Sequence, residues 1–217
     1  MSILMASVFV TVGTTLFDQL VKVTNEPVFH AALWILGYRN LVVQYGRGTT
    51  IPCAPSDESV QKAVVELGRP VSEAYPLELS MFRYKPSIQM EIDAASLVIS
   101  HGGAGTCVQA LTPAGSRRLI VVINDTLLGN HQEELAFTLA RGRHAVVTTP
   151  TDLTTLLLKG TSAIRSSNAQ SFHEFSPDVK HFLGPSVPPE QAGFVGFHRG
   201  HPERLLAYLD ERLTILR

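Results

Sequence analysis

Apolar positions along this chain gather into short continuous runs, and between the runs they recur with the helical period of about 3.6 residues. Val8 to Val12, Leu41 to Tyr45, Leu77 to Tyr84, Leu97 to Ser100, Leu119 to Ile123 and His144 to Thr149 predict strands. Phe17 to Val23, Val28 to Leu36, Pro86 to Ala95, Cys107 to Leu111 and Asn130 to Arg141 predict helices, with shorter ones over Val60 to Leu67 and over Leu153 to Leu158, the latter starting at Asp152. Pro27 suits a first helical turn, and Gly37 ends that helix. The run Leu119 to Ile123 is rich in β-branched residues, as in a strand buried on both faces. Strands alternating with helices predict an α/β fold, a Rossmann-like doubly wound parallel sheet. Such sheets bind ligands beyond the carboxyl ends of their strands.

Three stretches break the rhythm. Residues 49–76 are rich in Pro, Ser and charge and read as an insertion within a domain spanning residues 1–160. Residues 161–200 carry Ser, Gly, Pro and His without a period and read as a long irregular, mobile insertion. His201 to Arg217 reads as a terminal helix with Leu205, Leu206, Leu209, Leu213 and Leu216 on one side, a stripe that fits its own domain or a partner equally.

Composition narrows the class. The chain has 217 residues, 45% hydrophobic and 17% charged, enough for one domain with a sizeable core. A formal net charge of −1 leaves no basic excess for nucleic acid. Cys53 and Cys107 suggest neither a disulfide framework nor a metal site, and free thiols fit a reducing compartment. No run approaches the roughly 20 apolar residues of a membrane span, and the apolar start lacks the basic region of a signal peptide. A cytosolic protein is expected, in which the sequon at Asn124 has no role.

The chemistry concentrates at two turns. His101, Gly102, Gly103, Ala104, Gly105 and Thr106 join a strand to a helix, and bare glycines there let a ligand reach backbone N–H groups at a helix start. Gly13, Thr14 and Thr15 form a second turn of similar type after the first strand. A polar cluster follows Ile123, from Asn124 on to His131, Gln132, Glu133 and Glu134, on the same edge. The pattern points to a bound phosphate, the alternative being that the turns are only tight connections. Neither turn is a dinucleotide fingerprint or a phosphate-loop ATPase motif. His101 either bonds a phosphate or sugar oxygen or fixes the loop, and it is the one candidate catalytic group. Gln132 and Glu134 suit sugar hydroxyls, although acidic residues stabilise a helix start in any case. Arg47, between Gly46 and Gly48, is either a phosphate contact or a surface charge. Cys107 is expected to pack behind the glycine turn.

The ordered segments Val8–Thr15, Gln44–Gly48, Tyr84–Ser87, Leu97–Thr106, Val121–Asn124 and Asn130–Ala136 resemble the donor-binding subunits of the dolichol-pathway UDP-N-acetylglucosamine transferase. They are also similar to the C-terminal half of the bacterial peptidoglycan N-acetylglucosaminyltransferase. The resemblance covers about residues 6 to 150. It implies the donor half of a GT-B glycosyltransferase, a hexosyltransferase active with a partner. That enzyme moves N-acetylglucosamine from UDP-N-acetylglucosamine to N-acetylglucosaminyl-diphospho-dolichol, the second sugar of the N-glycan lipid precursor. The resemblance further implies inversion at the sugar carbon, no bound metal or cofactor, and a membrane-anchored acceptor-binding subunit at the cytosolic face of the endoplasmic reticulum. By the same token Gly13, Thr14 and Gly102 to Thr106 face the diphosphate and sugar, and His131, Gln132 and Glu134 meet the donor sugar.

Three departures stand out. Gln109 occupies the place of an expected ribose-binding Glu. Gly115, Ser116, Arg117 and Arg118 replace a Gly-Lys-Pro turn, adding positive charge there. The stretches at 49–76 and 160–200 are longer than the family pattern. Another acceptor, or a nucleotide-sugar-binding regulatory protein without transfer, are the alternative readings.

Overall fold

The structure is a computed structural model that describes residues 6–70, 77–124, 131–159 and 179–197. Its six strands are β1 (Ser7–Thr11), β2 (Asn40–Gln44), β3 (Glu78–Phe82), β4 (Ala95–Ser100), β5 (Arg118–Val122) and β6 (Val146–Thr148). All pair in parallel, in the order β3-β2-β1-β4-β5-β6. The helices are α1 (Asp18–Val23), α2 (Pro27–Leu36), α3 (Asp57–Glu66), α4 (Gln89–Ala94), α5 (Ala104–Ala110), α6 (His131–Arg141), α7 (Pro150–Lys159) and α8 (Val179–Leu183).

Alternate residues of each strand serve opposite faces. Val8, Val10, Leu41, Val43, Leu97, Ile99, Ile120 and Val122 pack with Leu20, Leu33, Leu153 and Leu157 of α1, α2 and α7. Phe9, Val98, Leu119 and Val121 pack on the other face with Ile92, Cys107, Ala110, Ala136 and Leu139 of α4, α5 and α6. β1 and β5 are buried at every position, which is why Val8–Val10 and Leu119–Val122 within them read as unbroken apolar runs. Each fully buried Leu or Ile contributes about 1.5–3 kcal/mol. The doubly wound parallel sheet expected from the alternation is the fold observed.

Differences from the sequence pattern arise where caps and long-range contacts decide. The described part of 49–76, residues 49–70, contains α3, the crossover that parallel neighbours β2 and β3 require, and so belongs to the sheet's own winding. Val60, Ala63 and Val64 bury that helix against Ala31 of α2. It starts at Asp57, ahead of the expected Val60, because Ser56 Oγ accepts the Ser59 N–H at 3.3 Å. Likewise α7 begins at Pro150, with Thr149 Oγ1 accepting the Asp152 N–H at 3.3 Å. Within 161–200 the described part, 179–197, is mostly turns after one short helix, yet it packs on the core. It opens with α8 and buries Phe182, Leu183, Ala192 and Phe194 in the core. The expected terminal helix over 201–217 lies outside the described residues.

Candidate functional site at the carboxyl edge

With six parallel strands, every carboxyl end meets one edge, and the order reverses direction between β1 and β4. The two glycine turns leave the sheet on either side of that switch point. Thr11, the last residue of β1, is fully buried. Its Oγ1 donates to Gln44 Oε1 at 2.5 Å and accepts the Gly13 N–H at 3.0 Å. Thr15 closes the turn, its hydroxyl donating to the Val12 carbonyl at 2.7 Å, while Thr14 is exposed.

His101 joins the two turns. Its N–H donates to the Thr11 carbonyl at 3.1 Å, and its ring Nδ1 lies 3.4 Å from the same oxygen. A carbonyl only accepts, so Nδ1 carries the proton and Nε2 the lone pair. The ring, 6% exposed, sits between Gly13 and Gly103. A Cβ on Gly13 would stand 2.7 Å from Cε1, and one on Gly103 2.7 Å from Nε2. Gly13 also has φ +60°. Burial lowers the His101 pKa, the Thr11 carbonyl opposing it, and the ring is neutral near pH 7. Of the two roles open to His101, this arrangement is that of a wedge fixing both turns.

Beyond the wedge, Gly103 precedes α5 without a side-chain cap. The first bond of the helix is Cys107 N–H to Gly103 carbonyl, at 3.0 Å. Ala104 and Gly105 are exposed, and a Cβ on Gly105 would meet nothing within 4 Å, so space lies open over the turn. Gln109 is exposed on the same helix. Cys107 packs behind it as expected, its thiol pushed up to about 11 by burial against the opposing Ser100 hydroxyl, and so it stays protonated.

Neighbouring loops lock onto this pair. The Arg47 N–H donates to the Thr15 carbonyl at 3.1 Å, leaving the Arg47 side chain exposed. Asn124 is buried, and its Nδ2 donates to the Leu16 carbonyl at 3.4 Å, so this amide holds the loop after β1. Glu134 is exposed in the first turn of α6. The side chains of His131 and Gln132 lie outside the described residues.

Two residues that the sequence reading passed over brace the Gly46–Gly48 loop. The Asp18 carboxylate accepts from Thr49 N–H at 3.2 Å, Thr49 Oγ1 at 2.9 Å and Thr50 N–H at 2.9 Å. The Thr50 amide above all lowers the Asp18 pKa. Arg83 Nη1 donates to the carbonyls of Gly46 and Gly48 at 3.2 and 3.4 Å, its guanidinium 4.8 Å from the centre of the Tyr45 ring. Both partners lie more than 30 positions away along the chain, so no local pattern reveals them.

Arg117 and Arg118 carry the positive charge of the turn that begins at Gly115. They precede and open β5, on the amino edge, and both are buried. Arg117 Nη1 donates to the Ala110 and Thr112 carbonyls at 2.9 and 2.8 Å, where α5 ends, and Nη2 lies 3.2 Å from Asp93. Arg118 Nε and Nη2 donate to the Phe182 and Val187 carbonyls at 2.7 and 2.8 Å. Their charge holds the fold and adds nothing to the carboxyl edge. Among the described residues, no helix is long and apolar enough to cross a membrane.

The glycosyltransferase family 28 C-terminal domain matches residues 7–181. The UDP-N-acetylglucosamine transferase subunit ALG13 of Homo sapiens is 41% identical over 140 residues, 64% of this chain and 11% of that protein. The subunit of that name from Candida glabrata is 33% identical over 162 residues, 67% of this chain and 81% of its own length. The chain thus spans about a tenth of its human and mouse relatives. Among solved structures, an NMR structure of ALG13 aligns at TM-score 0.47 and 24% identity over 84% of this chain and 97% of that one. MurG of Acinetobacter baumannii aligns at TM-score 0.47 and 16% identity over 71% of this chain and 39% of that one.

Proposed function

The chain belongs to the glycosyltransferase family 28 C-terminal domain family, and from that membership we propose that it is the donor-binding subunit of a split UDP-N-acetylglucosamine transferase. The observation that carries the reading is the His101 wedge. It fixes two glycine turns at the switch point and leaves open space over the start of α5. The kinship to proteins named as UDP-N-acetylglucosamine transferase subunits supplies the donor.

In this reading the diphosphate lies against Gly13, Thr14 and Gly102 to Thr106. Backbone N–H groups and the α5 dipole stabilise the charge that grows on the departing UDP. Arg47 adds an exposed cation from the neighbouring loop. Gln109 bonds the ribose hydroxyls as a neutral amide. His131, Gln132 and Glu134 hold the sugar. The acceptor is N-acetylglucosaminyl-diphospho-dolichol. Its hydroxyl oxygen forms a bond to the sugar C1 as the C1–O bond to the diphosphate breaks, inverting C1. The hydroxyl proton passes to a base on a membrane-anchored partner, and the pair works at the cytosolic face of the endoplasmic reticulum. No metal takes part, since N–H groups and the dipole serve the leaving group.

Calorimetry with UDP and with inorganic pyrophosphate tests the assignment. Gln109→Ala should weaken UDP about tenfold and leave pyrophosphate unchanged. Equal loss of both, or of neither, removes the ribose role of Gln109. Wild-type chain that binds neither ligand removes the donor site itself.

A further inference from the structure

A second concavity, of about 410 Å³, opens on the amino edge of the sheet, opposite the glycine turns, where α2 ends and β2 begins. Trp34 and the end of α2 form one wall, Arg39 leads into β2, Arg69 follows α3, and Lys180 and Ser186 come from α8 and the chain after it. Three cations from three separate parts of the chain therefore converge on one hollow, with no acidic residue among the described residues of its lining. That is unexpected in a chain whose formal net charge is −1.

The ordinary explanation for such cations, compensation of a helix C-terminus, covers Arg39 and Arg69, which follow α2 and α3, but not Lys180 in the first turn of α8. Arg39 Nη1 donates to the carbonyls of Trp34 and Tyr38 at 3.2 and 2.7 Å, and the guanidinium lies 5.4 Å from the centre of the Trp34 ring. It is therefore fixed in place, with further N–H groups on its fork. Arg69 and Lys180 are exposed, and the ion pairs among the described residues, Lys85–Glu91 and Arg117–Asp93, involve neither. Like charges gathered without a counter-ion repel, and an anion seated between them relieves that repulsion. A held guanidinium fork matches phosphate oxygens, and an ammonium supplies a point charge beside it.

We infer that this pocket binds a phosphate-bearing anion, with Arg39, Arg69 and Lys180 as its cations, the Ser186 hydroxyl as a further donor, and Trp34 as the wall for the ligand's apolar part. The site shares no residue with the carboxyl edge and does not rest on the donor reading. A soluble phosphate ester and a phospholipid headgroup offer the same chemistry.

Trp34 is the single tryptophan of the chain, so its fluorescence reports on this pocket. The full chain is titrated with inorganic phosphate, then with phosphatidylcholine vesicles with or without phosphatidic acid. Calorimetry and vesicle co-sedimentation provide readouts that need no fluorescence change. Saturable binding of phosphate or of the phosphatidic acid vesicles is expected, and none of phosphatidylcholine alone. An Arg69→Glu, Lys180→Glu double variant should bind about tenfold more weakly, with unchanged circular dichroism and thermal midpoint. Binding of phosphate alone identifies a soluble ester, and binding of vesicles alone a headgroup. Failure of both probes in every readout, or equal binding by the folded double variant, overturns the proposal.

Discussion

The imidazole of His101 occupies the space that a side chain on Gly13 would need, its Cε1 standing 2.7 Å from where that Cβ would lie. The first strand's turn and the fourth strand's turn are thereby shaped against one ring. Gly13→Ala forces a methyl group against the ring and a side-chain residue into φ +60°. We expect a loss of about 2–3 kcal/mol in urea unfolding. With His101→Ala already present, the same change should cost at least about 1 kcal/mol less. Strictly additive losses would remove the interlock.

Buried histidines give the stability curve its sign. Burial lowers the pKa of both His101 and His30 below the ordinary 6.5. The unfolded chain therefore takes up protons first as pH falls. Stability from these residues is complete above about pH 6.5 and is lost as pH drops from there toward the lowered folded values. Asp18 acts in a separate range: its lowered pKa gives stability above the ordinary 3.8 that is lost as pH falls through the folded value. Urea midpoints between about pH 7.5 and 5 should decline in the wild type and decline less in His101→Gln. Equal slopes would mean that His101 is not held neutral.

Arg47 and Asp18 separate binding from folding on one loop. Arg47 is exposed, so Arg47→Ala should change stability by less than about 0.5 kcal/mol. If it meets the diphosphate, UDP-N-acetylglucosamine affinity falls about tenfold. Asp18→Asn weakens three bonds to Thr49 and Thr50. It should lower stability by about 1–2 kcal/mol and speed hydrogen exchange at the Thr50 amide. Unchanged exchange there would show that the loop is held by other means.

The segment after α8 depends on a buried cation. Arg118, 1% exposed, donates to Phe182 and Val187, and Tyr38 Oη donates to the Leu183 carbonyl at 2.6 Å. Arg118→Met strands the buried Phe182 carbonyl and the half-buried Val187 carbonyl and should cost about 3 kcal/mol, against about 1–2 kcal/mol for Tyr38→Phe. Limited proteolysis within 179–197 should accelerate in both, more in the first. Unaltered cleavage would mean that apolar burial of Phe182 and Phe194 alone seats the segment.

What the sequence made legible follows from range. β1, β4 and β5 are central, so their burial is written as continuous apolar runs. The glycine turns are local motifs, and their place at the switch point follows from strand order. Ser56 and Thr149 were equally local, and their capping roles were open to reading. Residues 179–197 were not. Four scattered apolar residues bury there without a period, and the bonds that seat them come from Arg118, 64 and 69 positions away. The same limit hid Asp18 and Arg83. For Arg117 and Arg118, charge was legible but not depth: they stand at the amino end of β5, where the fold uses them to satisfy carbonyls.

The most direct test of the central claim is transfer of labelled N-acetylglucosamine from UDP to a short N-acetylglucosaminyl-diphospho-lipid. The chain is assayed alone and with a co-expressed membrane-anchored partner. We predict transfer only with the partner, with UDP-N-acetylglucosamine bound by the chain alone. Transfer by the chain alone would contradict the split enzyme, and donor binding without transfer in either case would make the chain a nucleotide-sugar-binding regulator.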